Sequence, residues 1–138
     1  MVDASVVAKW VLPVEMYQEN ALKLRDDHVS ERAELFAPTI LTAEVANALW
    51  RAVKLKRLTE EDAQEALKTL GDTKITLCEL DWYQISQMLK IACMLDSAIY
   101  DAAYLFLSDK IKAQLVTSDT KLYEKTKEHF NVLHIRDY

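Results

Sequence analysis

AQLVTSDTKL, residues 113–122, reads as a short buried strand that ends at an acid and passes into a helix. Ala113 to Thr117 supplies the aliphatic and β-branched run of a strand. Asp119 lies just past its carboxyl end, and a helical stretch opens at about Lys121. Immediately upstream, SAIYDAAYLFLSDKI, residues 97–111, reads as an apolar core helix. A helix, a strand and another helix in succession is the local signature of a parallel α/β sheet.

The same alternation extends outward. Met1 to Ala4 reads as a short strand, followed by a helical stretch from Ser5 that Pro13 closes. Tyr17 to about Val29 reads as a helix, and Leu35 to Ala37 as a strand ending at Pro38. Leu41, Val45, Ala48, Leu49 and Ala52 recur at helical spacing. Thr59 with Asp62 resembles a capping box for the next helix, and Gly71 stands where a C-cap belongs. Ile75 to Cys78 alternates like a strand, Asp81 to Leu95 reads as a helix, and Val132 to Ile135 is a last apolar stretch. The expected fold is α/β, three layers with a central, mostly parallel sheet, in a single domain over residues 1–138.

Composition narrows the function. The 138 residues suit one hydrophobic core, 51% are apolar, and the formal net charge is −5. That balance argues against a generally basic nucleic-acid coat, though not against a local basic patch. No apolar run reaches the roughly 18 to 20 residues of a membrane span, and no signal peptide is read at the N-terminus. Cys78 and Cys93 lack C-x-x-C spacing and read as buried free thiols of a cytoplasmic protein.

Ligands of open parallel sheets sit beyond the carboxyl ends of the strands. Asp3 and Asp119 occupy two such ends. Either alone can be a helix cap; if their strands are neighbours, the carboxylates converge. Glu44 lies on the flank of its helix's apolar face, along one ridge with Asn47 and Arg51, either pointing into a crevice or exposed as helix support. Asp101 also has two readings. It sits about one turn into a helix that Ser97 would cap, where negative charge complements the helix dipole, or it joins the other acids in a pocket.

Four segments carry a resemblance: MVDASVVAKWVLP, APTILTAEVANALWRAV, SAIYDAAYLFLS and LVTSDTKL. In order and spacing they resemble the landmarks of PIN domains, closest to the VapC-type toxin ribonucleases of prokaryotic toxin–antitoxin pairs, from residue 1 to about 135. The resemblance implies a metal-dependent endoribonuclease with acids at Asp3, Glu44, Asp101 and Asp119, and polar supporting residues at Ser5, Asn47 and Thr117. It favours the site-acid reading of Asp101. Relatives often carry glycine where this chain has Asp96, which reads as a turn and cap residue or as a further acid at the rim. The resemblance also implies a small VapB-like antitoxin whose peptide arm covers the crevice, and a homodimer.

The chemistry follows from the residue types. Carboxylates within about 4 to 6 Å of one another repel, and a divalent cation removes that penalty. An all-oxygen set without His or Cys favours Mg²⁺ or Mn²⁺ over Zn²⁺. His28, His129 and His134 lack ligand spacing and read as surface or structural residues. Asp3, Asp101 and Asp119 are the expected metal ligands, with Glu44 completing the cluster. Arg51, Lys54, Lys56 and Arg57 are either RNA-contacting cations or complements to a helix C-terminus. Lys9 and Trp10 either line the mouth or, for Trp10, pack in the core. Two other functions fit the same residues: a PIN-like RNA-processing nuclease that is not a toxin, and a non-catalytic α/β interaction module whose acids are caps and surface charge.

Overall fold

The computed structural model describes residues 1–138 and realises the alternation as seven helices and four short strands. In chain order these are α1 (Ala4–Val7, continued by a 3-10 turn, Ala8–Trp10), α2 (Gln18–Val29), β1 (Phe36–Pro38), α3 (Leu41–Lys54) and α4 (Glu60–Asp72). Then come β2 (Thr76–Cys78), α5 (Trp82–Leu95), α6 (Ile99–Lys110), β3 (Leu115–Thr117), α7 (Thr120–Thr126) and β4 (Val132–His134), with a closing 3-10 turn, Ile135–Asp137.

Every strand pairing is parallel. β1 pairs with β2, Ala37 opposite Leu77, and β3 pairs with β4, Val116 opposite Leu133. The N-terminal segment joins the two pairs. The Val2 amide donates to the Phe36 carbonyl (2.9 Å), the Val116 amide to the Met1 carbonyl (2.9 Å), and the Asp3 amide to the Val116 carbonyl (3.1 Å). The resulting order is β2, β1, Met1–Asp3, β3, β4, so Val2 is fully buried at its centre. Helices cover it in a three-layer α/β/α arrangement. One group is α1, α3 and α4; in the other, α5 packs on α6, which lies against β1 and β3.

Helix periodicity explains the packing. In α3, Leu41, Val45, Leu49 and Ala52 are buried along one stripe facing the main core. That core also gathers Val6, Leu24, Leu105, Leu115 and Ile135, none more than 2% exposed. A smaller cluster of Met88, Ala92, Ala102 and Ala103 closes the α5–α6 seam. There, small residues on α6 admit close helix approach.

Parallel pairing places the site. All strand carboxyl ends meet at one edge of the sheet, where α1, α3 and α7 begin. α6 leads into β3 and therefore runs opposite to the strands, so its N-terminus lies at that edge too.

Several local expectations are corrected. Met1–Ala4 is no full strand: it makes a single bridge, Val2 to Val116, because Asp3 already caps α1. The first helix passes into its 3-10 turn and ends at Trp10, ahead of Pro13. Ala98, not Ser97, is the N-cap of α6, and the Ser97 hydroxyl is buried without a partner. Gly71 lies inside α4, and the left-handed residue after that helix is Lys74 (φ 58°). Thr59 does cap α4, accepting from the Asp62 amide (3.0 Å). The reciprocal capping box belongs to Asp81 and Gln84 at α5. Of the two thiols, Cys78 is half-buried and Cys93 exposed, since Cys93 falls on the outer face of α5. His134 is fully buried, His28 half-buried and His129 exposed. No single helix is long and apolar enough to cross a membrane.

Candidate active site

Asp3 is the most enclosed of the four acids, 7% exposed. As N-cap of α1 it accepts the Ser5 amide on Oδ1 (2.7 Å), while the Thr117 hydroxyl donates to Oδ2. Burial pushes its carboxyl above the ordinary range; the Thr117 and Ser5 hydrogen bonds pull it back, and the charge of Asp101 adds to the rise. Neutral donors thus hold an acid that has no cation of its own.

Asp119 stands at the neighbouring strand end and is exposed. It caps α7, its Oδ1 accepting the amides of Lys121 (2.8 Å) and Leu122 (3.0 Å). Polar side chains stitch this end to Asp3. Thr117 Oγ1 accepts the Asp119 amide (3.0 Å), Ser5 Oγ accepts the Ser118 amide (2.9 Å), and the two hydroxyls lie 3.5 Å apart. Ser5 and Thr117 therefore brace the two strand ends against each other.

Asp101 occupies the first turn of α6 and is half-buried. Burial and then the charge of Asp119 raise its pKa; the Ala98 backbone amide and Lys125 oppose the rise. The contact with Ala98 is that of a third-position acid reaching back to the N-cap amide. Asp101 thus supports its helix and faces the other acids at once. Beside it, Asp96 is a turn residue: it ends α5 in the left-handed conformation (φ 46°, ψ 55°) that glycine adopts without strain. The Lys125 ammonium donates to the Asp96 carbonyl at 2.8 Å.

Glu44 sits in the first turn of α3, half-buried. Its Oε2 accepts the hydroxyl of Tyr104 at 2.7 Å. Burial raises its pKa, the Tyr104 bond lowers it, and the charges of Asp3 and Asp101 raise it again. The tyrosine responds in turn: burial and the adjoining carboxylate hold its phenol well above the ordinary value.

Each acid thus acts electrostatically on at least one other, Asp119 through Asp101. As the side chains stand, no three His, Cys, Asp or Glu residues are poised to share one ion. Both oxygens of Asp3 and one of Asp119 are engaged by protein donors. The donor chemistry nevertheless suits a hard divalent cation. It is carboxylate throughout; three of the acids are raised by burial and like charge, and Lys125 is the cation acting on Asp101. His134 is directed elsewhere: its Nδ1 accepts the Arg136 amide and its Nε2 meets Thr120 Oγ1 (3.2 Å).

The remaining residues spread out. Asn47 is exposed one turn along α3 from Glu44. Arg51 and Lys54 are exposed in the last turn of that helix, about 10 to 15 Å from Glu44 along the axis at 1.5 Å per residue, and Lys56 and Arg57 are exposed just beyond it. Arg57 is already occupied, donating to Glu15 and to the Pro13 carbonyl (both 2.7 Å), and Lys54 lies over the ring of Trp50. Lys9 is buried and paired with Glu15 (3.7 Å), and Trp10 packs in the core. Trp10 therefore offers no contact surface, whereas Trp50 and Trp82 are exposed. An apolar groove of about 440 Å³ between α3, α4 and β2 contains none of the four acids.

Two participants escaped the sequence. Tyr104 lies three residues after Asp101, on the same helix ridge, and its polar tip amid aliphatic neighbours was the available signal. Lys125 gave none, because an exposed lysine on a short helix is unremarkable until the fold sets it beside Asp96.

The PIN domain family model matches residues 1–128. Ribonuclease VapC3 of Pyrobaculum aerophilum is 32% identical over 129 residues, covering 91% of this chain and 92% of its own. Exonuclease VapC9 of the same organism is 29% identical over 108 residues, 78% of each chain. The crystal structure of PAE2754 from Pyrobaculum aerophilum is similar in fold, with a TM-score of 0.70 over 99% of this chain and 90% of that one, at 24% identity.

Proposed function

The chain belongs to the PIN-domain family, and from that premise we propose that it is a Mg²⁺- or Mn²⁺-dependent endoribonuclease, the toxin of a VapBC-type pair. The observation that carries the reading is the gathering of Asp3, Glu44, Asp101 and Asp119 at one sheet edge, where burial and mutual charge raise three of them. The name of the relative Ribonuclease VapC3 supports RNA as the substrate.

In this reading Asp3, Asp101 and Asp119 hold the cation. When bound, it supplies Lewis acidity toward a phosphodiester oxygen and eases deprotonation of water. Asp3 is fixed by Ser5 and Thr117 and sets the floor of the site. Asp101 and Asp119, from two helix N-termini, set its walls. Glu44 keeps Oε1 outside the Tyr104 bond and uses it to orient the attacking water and receive its proton. Arg51, Lys54 and Lys56 contact RNA phosphates beyond the acids, and Asn47 lies between the two groups. The protein acts in the cytoplasm as one domain over residues 1–138, forms a homodimer, and is silenced by a small VapB-like antitoxin.

The test is cleavage of a mixed structured RNA pool by purified protein with Mn²⁺ or Mg²⁺, with EDTA, and with Asp101→Asn prepared identically. Cleavage requiring both metal and Asp101 supports the reading; cleavage that survives Asp101→Asn removes the acid cluster from the mechanism. Because the relative VapC9 is named an exonuclease, a circular RNA belongs in the same assay. Cutting the circle establishes endonucleolytic attack, and degradation of linear RNA alone favours an exonuclease. Growth arrest on induction, relieved by a neighbouring small protein, separates a toxin from an RNA-processing enzyme.

A further inference from the structure

Tyr104 is 2% exposed, yet its hydroxyl reaches the half-buried carboxylate of Glu44 at 2.7 Å across 60 positions of sequence. The two residues come from different helices. Tyr104 is anchored in α6 among core side chains, whereas Glu44 stands at the start of α3 with part of its side chain open to water. A glutamate so placed has an easy escape. Asp3 and Asp101 both repel it, and rotation about its side-chain torsions would carry the charge outward into solvent at the cost of a rotamer change.

The structure assigns Tyr104 the role of positioning residue for Glu44: a buried phenol that holds this carboxylate inward against the repulsion of the other site acids. The inference rests on the reading of Glu44 as a site acid and goes beyond it by naming what keeps Glu44 there. Three features of the geometry favour it. The donor is a charge-assisted O–H to carboxylate bond, the stronger kind. Its base is immobile, because the ring is packed in the core. And Tyr104 lies one turn from Asp101 on α6, so a single rigid helix presents one acid directly and restrains a second through the phenol. The separation of Asp101 and Glu44 is thereby tied to helix packing and does not depend on a free glutamate rotamer.

Tyr104→Phe removes the hydroxyl and keeps the ring, and it strands no buried charge because Glu44 can turn to water. The variant should therefore fold, as a thermal melt verifies. Mn²⁺ affinity is then measured calorimetrically for wild type, Tyr104→Phe, Glu44→Gln and the double variant. Tyr104→Phe should weaken binding several-fold, because a Glu44 turned outward no longer adds its charge to the field around the cation. It should have no further effect once Glu44 is Gln. In RNA cleavage it should lower kcat and leave KM unchanged. An equal loss in both backgrounds, or none in either, overturns the role.

A metal-free arm decides the same point independently of the proposed activity. In a crystal structure of Tyr104→Phe the Glu44 carboxylate should have turned toward solvent, while in wild type it points inward. Retention of the inward rotamer in the variant overturns the inference even if metal binding is altered. Wild type that binds no Mn²⁺ would count against the metal-dependent function alone, with the crystallographic comparison still deciding Tyr104.

Discussion

Thr117 donates its hydroxyl to the carboxylate of Asp3, joining the end of β3 to the N-terminal segment 114 positions away in the chain. The bond satisfies a buried acid for which no cation is at hand, and it ties the N-terminal segment that carries Asp3 to β3, just ahead of Asp119.

Thr117→Val keeps the shape and deletes the donor. It leaves Asp3 with a buried, poorly satisfied oxygen and should cost about 1 to 3 kcal/mol of stability in urea unfolding. Thr126→Val is the control. That hydroxyl is equally buried but bonds only the Leu122 carbonyl one turn back in its own helix (2.7 Å), so its loss should cost less. Equal losses would show that Asp3 does not depend on Thr117.

Asp3, Glu44 and Asp101 all sit above the ordinary carboxylate range. The native state therefore holds protons that the unfolded chain releases, and these groups oppose folding once they ionise. The penalty is absent below about pH 4, grows as pH rises through the elevated folded values, and is complete above them. In EDTA at neutral pH, Asp101→Asn should accordingly melt at a higher temperature than wild type, with the advantage shrinking toward about pH 4. Added Mn²⁺ should raise the melting temperature of wild type much more than that of the variant. A variant less stable than wild type in EDTA at every pH would contradict the repulsion argument.

His134 has the opposite sign. Its side chain is fully buried, and burial holds its pKa below the ordinary 6.5. The native state keeps it neutral while the unfolded chain takes up a proton. Its contribution to stability is therefore full above about pH 6.5 and is lost as pH falls through the depressed folded value. Urea midpoints of wild type should drop more steeply between about pH 6.5 and about pH 5 than those of His134→Gln. Parallel pH profiles would remove His134 as a source of acid sensitivity.

The basic residues after α3 should not behave alike. Arg57 is committed to Glu15 and to the Pro13 carbonyl, so Arg57→Gln should leave the salt dependence of RNA binding nearly unchanged. Replacing Arg51 and Lys54 by Gln should flatten the slope of log affinity against log salt by about 0.7 per lost contact on single-stranded RNA. An unchanged slope in the double variant would withdraw this face as an RNA contact.

Gly71 lies within α4, exposed, with no positive φ and open space around an added Cβ. Gly71→Ala should therefore stabilise the protein by about 0.5 to 1 kcal/mol, the difference in helix propensity. A loss of stability would mean that the position needs glycine's conformational freedom after all.

The alternation of helices and strands was legible because it is written locally. Apolar spacing marked α3, Pro38 bounded β1, and Asp119 followed β3 where a strand should stop. Errors fell where two local signals competed. Gly71 looked like a helix end, but the left-handed turn was made by Lys74; Ser97 looked like a cap, but the cap is one residue later, at Ala98.

The sequence by itself determined most of the alternating elements, their order, and the placement of Asp119 past the end of β3, since strand and helix signals act over a few residues. Only the tertiary structure decided that the N-terminal segment lies between β1 and β3, that Thr117 satisfies Asp3, and that Tyr104 restrains Glu44. It also engaged Arg57 with Glu15 and set Lys125 against the turn at Asp96. Each of these depends on the register in which distant elements pack. A side chain's partner across the core is fixed by burial and by the need to satisfy buried polar groups, and neither acts until the chain has closed on itself.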